Sequence, residues 1–500
     1  MKNLTRRKFI SSSTVGTLGA AAGLSVVSNF DAIAKSDLKE KSKLFHFSRD
    51  IPVGDDYDIV VVGSGPAGSA ASICAARLGA KVLLIEATGC MGGMGTSGLV
   101  TSFGPVANGE RMLACGFLKE LLDTMYKRGF LAPNERPEIY QKAYMRWTRY
   151  NPEGLKLLLD ELAIDAGVET RFFTKAVDAD VDSQSKQING ILIHNIEGFQ
   201  YIKAKKYIDC TGDAFLADIC GAECREAGRD VPNIQPASLC AIFANFDPAK
   251  ITSWQEKMSS IPLDEKHFTQ HDRHYVGTGG ILEIGNNIGF HNGGHVFNLN
   301  ALSCKSLSDG IVFGRKIANE YVNAFKKQVP GCENIENVIT ASLMGIRESR
   351  NIKGEYELTV EDFLARRQFP DQIGVNNRYC DVHPYTPSDE NITRWRELRD
   401  EYRLKLGEFF GIPYSILVPV GWSNLWVAGR CVSSDTIVHG SIRSQTCASI
   451  MGQAAGTAAV QSIKTGQPAN DLDTEQLVKT LRNEGVYLPQ KTLSSQMTRS

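Results

Sequence analysis

Residues 57–87 read YDIVVVGSGPAGSAASICAARLGAKVLLIEA, and few stretches restrict a fold as tightly. The apolar run Ile59 to Val62 predicts a buried strand that leads directly into Gly63-Ser64-Gly65-Pro66-Ala67-Gly68. The small residues that follow predict a helix to about Leu78, and Lys81 to Ile85 predicts a second strand ending on Glu86. The three glycines serve separate ends, since Gly63 makes the turn, Gly65 admits a pyrophosphate against the backbone, and Gly68 lets the helix lie on the strand. The helix N-terminus, which opens on Pro66 and Ala67, offers free N–H groups to phosphate. Glu86 stands where a carboxylate accepts hydrogen bonds from an adenosine ribose. Strand, glycines, helix, strand and acid in this order predict a dinucleotide site.

Further motifs narrow which dinucleotide. ATGCMGGMGTSG follows Glu86 and makes a second glycine-rich loop that a plain NAD domain does not need. KKYIDCTGDAFLADICGAE places a strand ahead of Thr211-Gly212-Asp213, and NLWVAGR, residues 424–430, places another ahead of Gly429. With MGIRESRNIKGEYELTVEDF (344–363) and IPYSILVP (412–419), these patches resemble the FAD-dependent oxidoreductase family of the glutathione-reductase-like flavoproteins, a branch distantly similar to fumarate reductase and succinate dehydrogenase flavoprotein subunits. The resemblance runs in patches from about Tyr57 to Gly466.

The resemblance implies an α/β fold: a discontinuous Rossmann-like FAD-binding domain, residues 57–225 and 412–468, with an inserted α+β substrate domain at 226–411. Residues 469–500 are left as a C-terminal tail holding a short amphipathic helix. FAD is the implied cofactor. Gly63, Gly65, Pro66, Ala67 and Gly68 would meet its pyrophosphate and Glu86 its ribose, while Gly93, Gly95 and Thr96 lie along the flavin side. Adenine would meet the backbone of Ala176 or Val177. Asp213 would lie near the ribose or pyrophosphate. Gly429 and Arg430 would approach the far end of the cofactor, with an ion pair as the alternative role for Arg430.

IVHGSIRSQTCASIMGQAAGTAA, residues 437–459, sets His439 and Arg443 ahead of a helix of small residues. In this fold the N-terminus of that helix points at the flavin pyrimidine ring, where Ser444, Gln445 and Thr446 would favour negative charge. Small residues let the helix approach the cofactor domain closely, and Ser441 or a neighbour is expected to cap it. The fumarate reductase relatives present a similar H-G-x-x-R pair to a substrate carboxylate, which makes Arg443 and His439 the catalytic candidates. Against this stand a structural ion pair for Arg443 and an exposed or merely hydrogen-bonded loop position for His439.

The middle of the chain crowds His271, His274, His291 and His295 together with Tyr275. No carboxylate accompanies them at helical spacing, so no metal is expected, and some of them should line the cavity over the flavin. Arg347 and Arg350 could fix an anion, but pairing with Glu348 and Glu355 is the default. The 12 cysteines contain no C-x-x-C pair, and none is expected in a required disulfide. Cys220 and Cys224 would share a helical face.

The first 34 residues carry Arg6-Arg7 followed by Lys8-Phe9-Ile10, a diluted apolar stretch and Ala32-Ile33-Ala34, and they resemble a twin-arginine signal peptide. Residues 35–56 read as a linker. The stretch is too polar and short for a bilayer span, so no stable membrane anchor is expected. A periplasmic or secreted protein follows, with the twin-arginine export machinery as a partner. With 56 acidic against 55 basic residues, no field favours nucleic acid. The function expected is transfer of a hydride between a small polar organic substrate and FAD, with oxygen or an envelope electron carrier as acceptor. The alternatives are reduction of an activated double bond, fumarate-reductase fashion, and a flavin-loaded binding protein without turnover.

Overall fold

A computed structural model describes residues 48–255 and 280–489. The first strand, β1 (Val53–Val62), begins four residues inside the stretch read as a linker, because Val53 already pairs with Tyr201. It is followed by α1 (Pro66–Arg77), β2 (Val82–Ile85), α2 (Pro152–Ala166), β3 (Glu169–Arg171), β4 (Lys175–Asp182), β5 (Gln187–Asn195) and β6 (Gly198–Asp209). These strands build the main sheet in the order β3-β2-β1-β6-β5-β4, with a later strand also on β6. Ile59, Val61, Val82 and Leu84 turn to one face and Val60, Val62, Leu83 and Ile85 to the other, each into its own buried cluster. That alternation inside a continuous apolar run is the signature of a strand covered on both sides.

A second, four-stranded antiparallel sheet runs β8 (Ile281–Gly285), β9 (Ile288–His291), β7 (Ala241–Ala244), β10 (Glu336–Thr340), with the long α3 (Cys304–Gln328) supplying Ile317, Tyr321 and Phe325 to its core. Of residues 226–411, read as one inserted domain, the part from Ala237 to Met344 closes on this core. Leu358, Phe363, Ile373, Val375 and Phe410, by contrast, are fully buried, and most of them join the core under the main sheet. The chain re-enters that neighbourhood through β11 (Gln372–Asn376) paired with β12 (Phe410–Pro413).

β13 (Leu425–Val427) then lies parallel to β6, Trp426 opposite Ile208. Trp426 is fully buried and donates its Nε1–H to Tyr414 Oη at 2.7 Å, which donates to the Ala469 carbonyl at 2.8 Å. This chain of hydrogen bonds draws the segment after Gly466 into the core. The last helices are α4 (Thr436–Ile442), α5 (Gln445–Thr465) and α6 (Thr474–Asn483). Leu477 and Leu481 of α6 are fully buried, so residues 469–489 pack as part of the body rather than as a tail. Cys220 ends a short helix and Cys224 lies in a strand, so they share no helical face, and all twelve cysteines are free. No helix among the described residues is long and apolar enough to cross a membrane.

Candidate functional site

Val62, Ile85, Asp209 and Val427 form one row across the sheet, and each is the last residue of its strand. Four loops therefore leave from one edge, the carboxyl ends of parallel strands, where ligands of open α/β sheets bind. The loops hold one another: Gly63 N–H donates to Ile85 O, Gly92 N–H to Ser64 O, Cys210 N–H to Val62 O and Ala428 N–H to Asp209 O, all within 2.8 to 2.9 Å. Asp209, which sequence reasoning passed over in favour of Asp213, organises the third loop by accepting Thr211 N–H and Ala217 N–H, each at 2.9 Å.

The glycines separate into those the protein needs and one it does not. Gly63 has φ +91°, which favours glycine, and a Cβ there would lie 2.7 Å from Cys210 O. A Cβ on Gly68 would lie 1.8 Å from Gly63 O, and one on Gly93 would lie 2.8 Å from Gly65 Cα. At Gly65 an added Cβ meets nothing within 4 Å, and no side chain caps the helix it precedes. The space above Gly65 and the N-terminus of α1 is thus free of protein, and it faces unpaired N–H groups suited to phosphate. At the other end, Thr446 Oγ1 is buried with no hydrogen-bond partner in the first turn of α5. This cradle fits FAD.

The other expected contacts are placed as follows. Glu86 is buried, and its carboxylate accepts from Ser64 N–H and Oγ, both at 2.8 Å, and from Thr88 N–H at 2.7 Å and Oγ1 at 2.9 Å. A ribose hydroxyl would take the place of one of those side-chain hydroxyls, which can rotate away. Gly95 sits against Gln445 and Tyr150, where a Cβ would come within 2.5 Å of either side chain. Gln445 donates to Val100 O at 2.7 Å and so ties α5 to the second glycine loop. Thr96 is fully buried with its hydroxyl on Met91 O. The register of β4 on β5 skips Val177, which is 38% exposed beside buried Ala176. Gly429 adopts φ +102° next to Ala67. Arg430 donates to Gly212 O and Ile346 O, both at 2.8 Å, and pairs with Asp213, closing the third loop onto the fourth.

The helix cap is Ser444, which accepts from Cys447 N–H, whereas Ser441 lies within α4 and donates to Arg378 O. Gly452 and Gly456 answer to close packing: a Cβ would lie 2.0 Å from Ala67 O and 2.4 Å from Ala71 O, so α5 lies directly on α1. His439 is inside α4 rather than in a loop and is buried. Its Nε2 is 2.8 Å from Arg430 O, a carbonyl that can only accept, so Nε2 carries the proton. Burial first, and Arg443 second, push its pKa down to about 3. Arg443 Nη2 donates to Asp381 O at 2.7 Å and lies 3.3 Å from Asp381 Oδ2, while its Nε is buried without a hydrogen-bond partner. Burial lowers its pKa to about 10 and Asp381 counteracts this.

Asp381 belongs to a group that sequence reading missed. Arg378, Asp381 and His383 come from the loop NRYCDVHPY, 377–385, and meet Arg443, Gln235 and His295 from distant segments. The sole signal was Asp-x-His in a polar, aromatic loop with no apolar period. Of the expected histidines, His271 and His274, with Tyr275, lie outside the described residues. His291 is buried against Phe243, Tyr321 and Phe325, and His295 stands in the group just described. Among the described residues no three His, Cys, Asp or Glu side chains are placed to hold a metal. Arg350 pairs with Asp218 at 3.1 Å and Glu226 at 3.6 Å rather than with Glu348 or Glu355, because its strand lies on the one containing Glu226. Arg347 is buried and donates to Ser238 Oγ at 3.2 Å.

Parallel strands whose ends carry four interlocked loops around a dinucleotide cradle define a dinucleotide-binding protein. Residues 58–481 match the family of FAD dependent oxidoreductases, and the chain belongs to it. Its cofactor is FAD and it is an oxidoreductase. The chain is 49% identical over 47 residues to dihydrolipoyl dehydrogenase of Trypanosoma brucei brucei, 9% of this chain and 10% of that protein. It is 24% identical over 192 residues to digeranylgeranylglycerophospholipid reductase 2 of Methanopyrus kandleri, 37% of this chain and 43% of that protein. The chain thus spans a tenth and less than half of these curated relatives. Among solved structures it is similar to a geranylgeranyl bacteriochlorophyll reductase-like protein from Thermoplasma acidophilum (14% identity, 86% of this chain and 84% of that one, TM-score 0.43). It is likewise similar to p-nitrophenol 4-monooxygenase from Pseudomonas putida DLL-E4 (10% identity, 86% and 89%, TM-score 0.44).

Proposed function

We propose that the protein is an exported flavoenzyme that oxidises a small polar organic substrate and passes the electrons to oxygen or an envelope carrier. Bound FAD supplies a two-electron acceptor that takes a hydrogen together with its electron pair. The observation that carries this reading is Arg443: a guanidinium whose buried Nε has no hydrogen-bond partner, between α4 and the first turn of α5, where an anionic substrate group would complete it. His439 plays a different part. Its donor is committed to Arg430 O, so it holds the fourth loop and does not protonate a substrate.

Sugars, hydroxy acids, amines and unsaturated acids screened anaerobically should reveal one class that bleaches the bound flavin. Arg443→Ala should keep its FAD, because the phosphate cradle lies at the far end, yet lose turnover by about a hundredfold or more. Activity per bound flavin that stays near that of the parent would overturn the role of Arg443. Export rests on Arg6-Arg7, which lie outside the described residues. Replacing both with lysine should strand the protein in the cytoplasm, since a receptor reads the pair and charge alone does not replace it; unchanged export would reject the route.

A further inference from the structure

The loop that carries Arg378 and Asp381 is fastened along α4. Ser441 Oγ accepts from Asn376 Nδ2 at 2.9 Å and donates to Arg378 O at 2.6 Å, and Asn377 Nδ2 donates to Ala107 O at 2.8 Å. Gly440 completes the seat, since a Cβ there would lie 2.8 Å from Asp381 N and 2.9 Å from its carbonyl carbon and oxygen. The glycine between His439 and Arg443 thus lets the backbone of Asp381 lie against the helix. Two atoms of Asp381 then meet one nitrogen of Arg443: Nη2 donates to the carbonyl at 2.7 Å and lies 3.3 Å from Oδ2. Arg443 Nε is buried with no hydrogen-bond partner. Arg443 is the residue before the Ser444 cap of α5, and beside that cap Gln445 donates to Val100 O at 2.7 Å and Ser102 O at 3.1 Å, just beyond the second glycine loop.

Burial alone would raise the pKa of Asp381, but His383 at 3.3 Å, Arg378 at 2.8 Å and Arg443 outweigh it and hold the carboxyl well below the ordinary range. Arg378 and Arg443 share this one carboxylate. Arg347 adds a third cation that acts on Arg443, while burial pushes the Glu348 carboxyl up, so cations outnumber anions in this group among the described residues. A buried excess of charge is costly unless an anion meets it. We propose that Asp381 is the positioning residue of Arg443, holding Nη2 so that Nε–H is left for the single carboxylate of a hydroxy or amino acid substrate. This rests on the reading of Arg443 as the group that binds an anionic substrate. An arginine is long and samples many rotamers, so anchoring one of its nitrogens directs the others before the substrate arrives. The carboxylate of Asp381 by itself repels that substrate, so its benefit lies in orientation and not in charge.

Titration of the full-length, FAD-loaded protein with acetate at constant ionic strength tests this without turnover, the absorbance of the bound flavin reporting binding. Acetate should perturb the parent's spectrum to saturation, its neutral isostere acetamide should not, and Arg443→Gln should keep FAD and lose the response. Asp381→Asn keeps the backbone carbonyl and the side-chain shape but removes the carboxylate, and it should weaken acetate by about tenfold or more. A mere neighbouring charge would act the other way, its removal tightening acetate. Unchanged or tighter binding in Asp381→Asn, with FAD retained, therefore overturns the proposal. Asp381→Glu keeps the charge and moves it by one methylene; it should also weaken acetate, and it decides the matter if Asp381→Asn fails to fold, parent-like affinity again overturning the proposal. Malonate, which brings a second charge, should bind no more tightly than acetate, and tighter binding would exclude the single-carboxylate class. A parent whose flavin responds to neither acid rejects the reading of Arg443 itself and the proposal with it, whereas a response lost in Arg443→Gln but kept in both Asp381 variants rejects the proposal alone.

Discussion

The middle of α5 and the turn that leads into it are built on opposite principles. Along its middle, Gly452 and Gly456 bring the helix against the carbonyls of Ala67 and Ala71, with no side chain between. Ahead of its first turn, Arg443 enters a buried group with Asp381, Arg378 and His383, where charges from separate segments hold one another. The dry contact is specified by what is missing, so it has no room for adjustment. The charged group is specified by mutual neutralisation, so losing one member leaves a buried charge or polar group of its partners uncompensated.

The dry side should break first and hardest. In Gly452→Ala the new methyl would lie 2.0 Å from the Ala67 carbonyl, which belongs to backbone and cannot rotate away. The penalty should exceed the ~1–3 kcal/mol usual for overpacking, a large part of a typical domain stability of ~5–15 kcal/mol. Soluble yield and the thermal midpoint should both collapse. A variant that folds with the parent's midpoint would show that α5 is not seated on α1 as described.

One step milder is Gly65→Val. Because an added Cβ there meets no protein atom, the apoprotein should fold with nearly the parent's melting temperature while losing the flavin absorbance. The pair Gly65 and Gly68 makes the point within one motif: the same residue type, three positions apart, serves the ligand in one case and the protein in the other. Full flavin content in Gly65→Val would move the phosphates elsewhere.

How much of this was readable in the sequence follows from the same contrast. The βαβ unit is local: strand period, glycine spacing and Glu86 all lie within residues 57–86, and each element appears where expected to within a few residues. The small residues of α5 likewise announced a close approach before the partner helix was known. The charged group is non-local. Arg443 and His295 stood out within their own segments, whereas Gln235 and Asp381 are ordinary polar residues in theirs, and no period or spacing ties position 295 to 383. Arg350 illustrates the same limit, since its partner Glu226 is chosen by a strand pairing across more than a hundred residues and not by the neighbouring glutamates.

The smallest effect separates the two regions by pH. His439 and His383 are held in the folded protein at about 3 and about 4, against 6.5 ordinarily, chiefly by burial. Below pH 6.5 the unfolded chain takes up protons at both histidines while the folded chain does not, so the unfolded state gains and stability falls as pH falls. Each histidine can contribute up to about 1.4 kcal/mol per pH unit between 6.5 and its folded value, and nothing above that window. The thermal midpoint should therefore be flat from pH 8 to 7 and decline from 6.5 toward 5. His439→Gln should make that decline shallower, because one buried group no longer titrates. Ala455→Gly, on the dry side, should lower the midpoint through about 1 kcal/mol of helix propensity by the same amount at every pH. Parallel curves for the parent and His439→Gln would mean that His439 is protonated in the fold, and its bond to Arg430 O would then carry a charge that the burial around it does not accommodate.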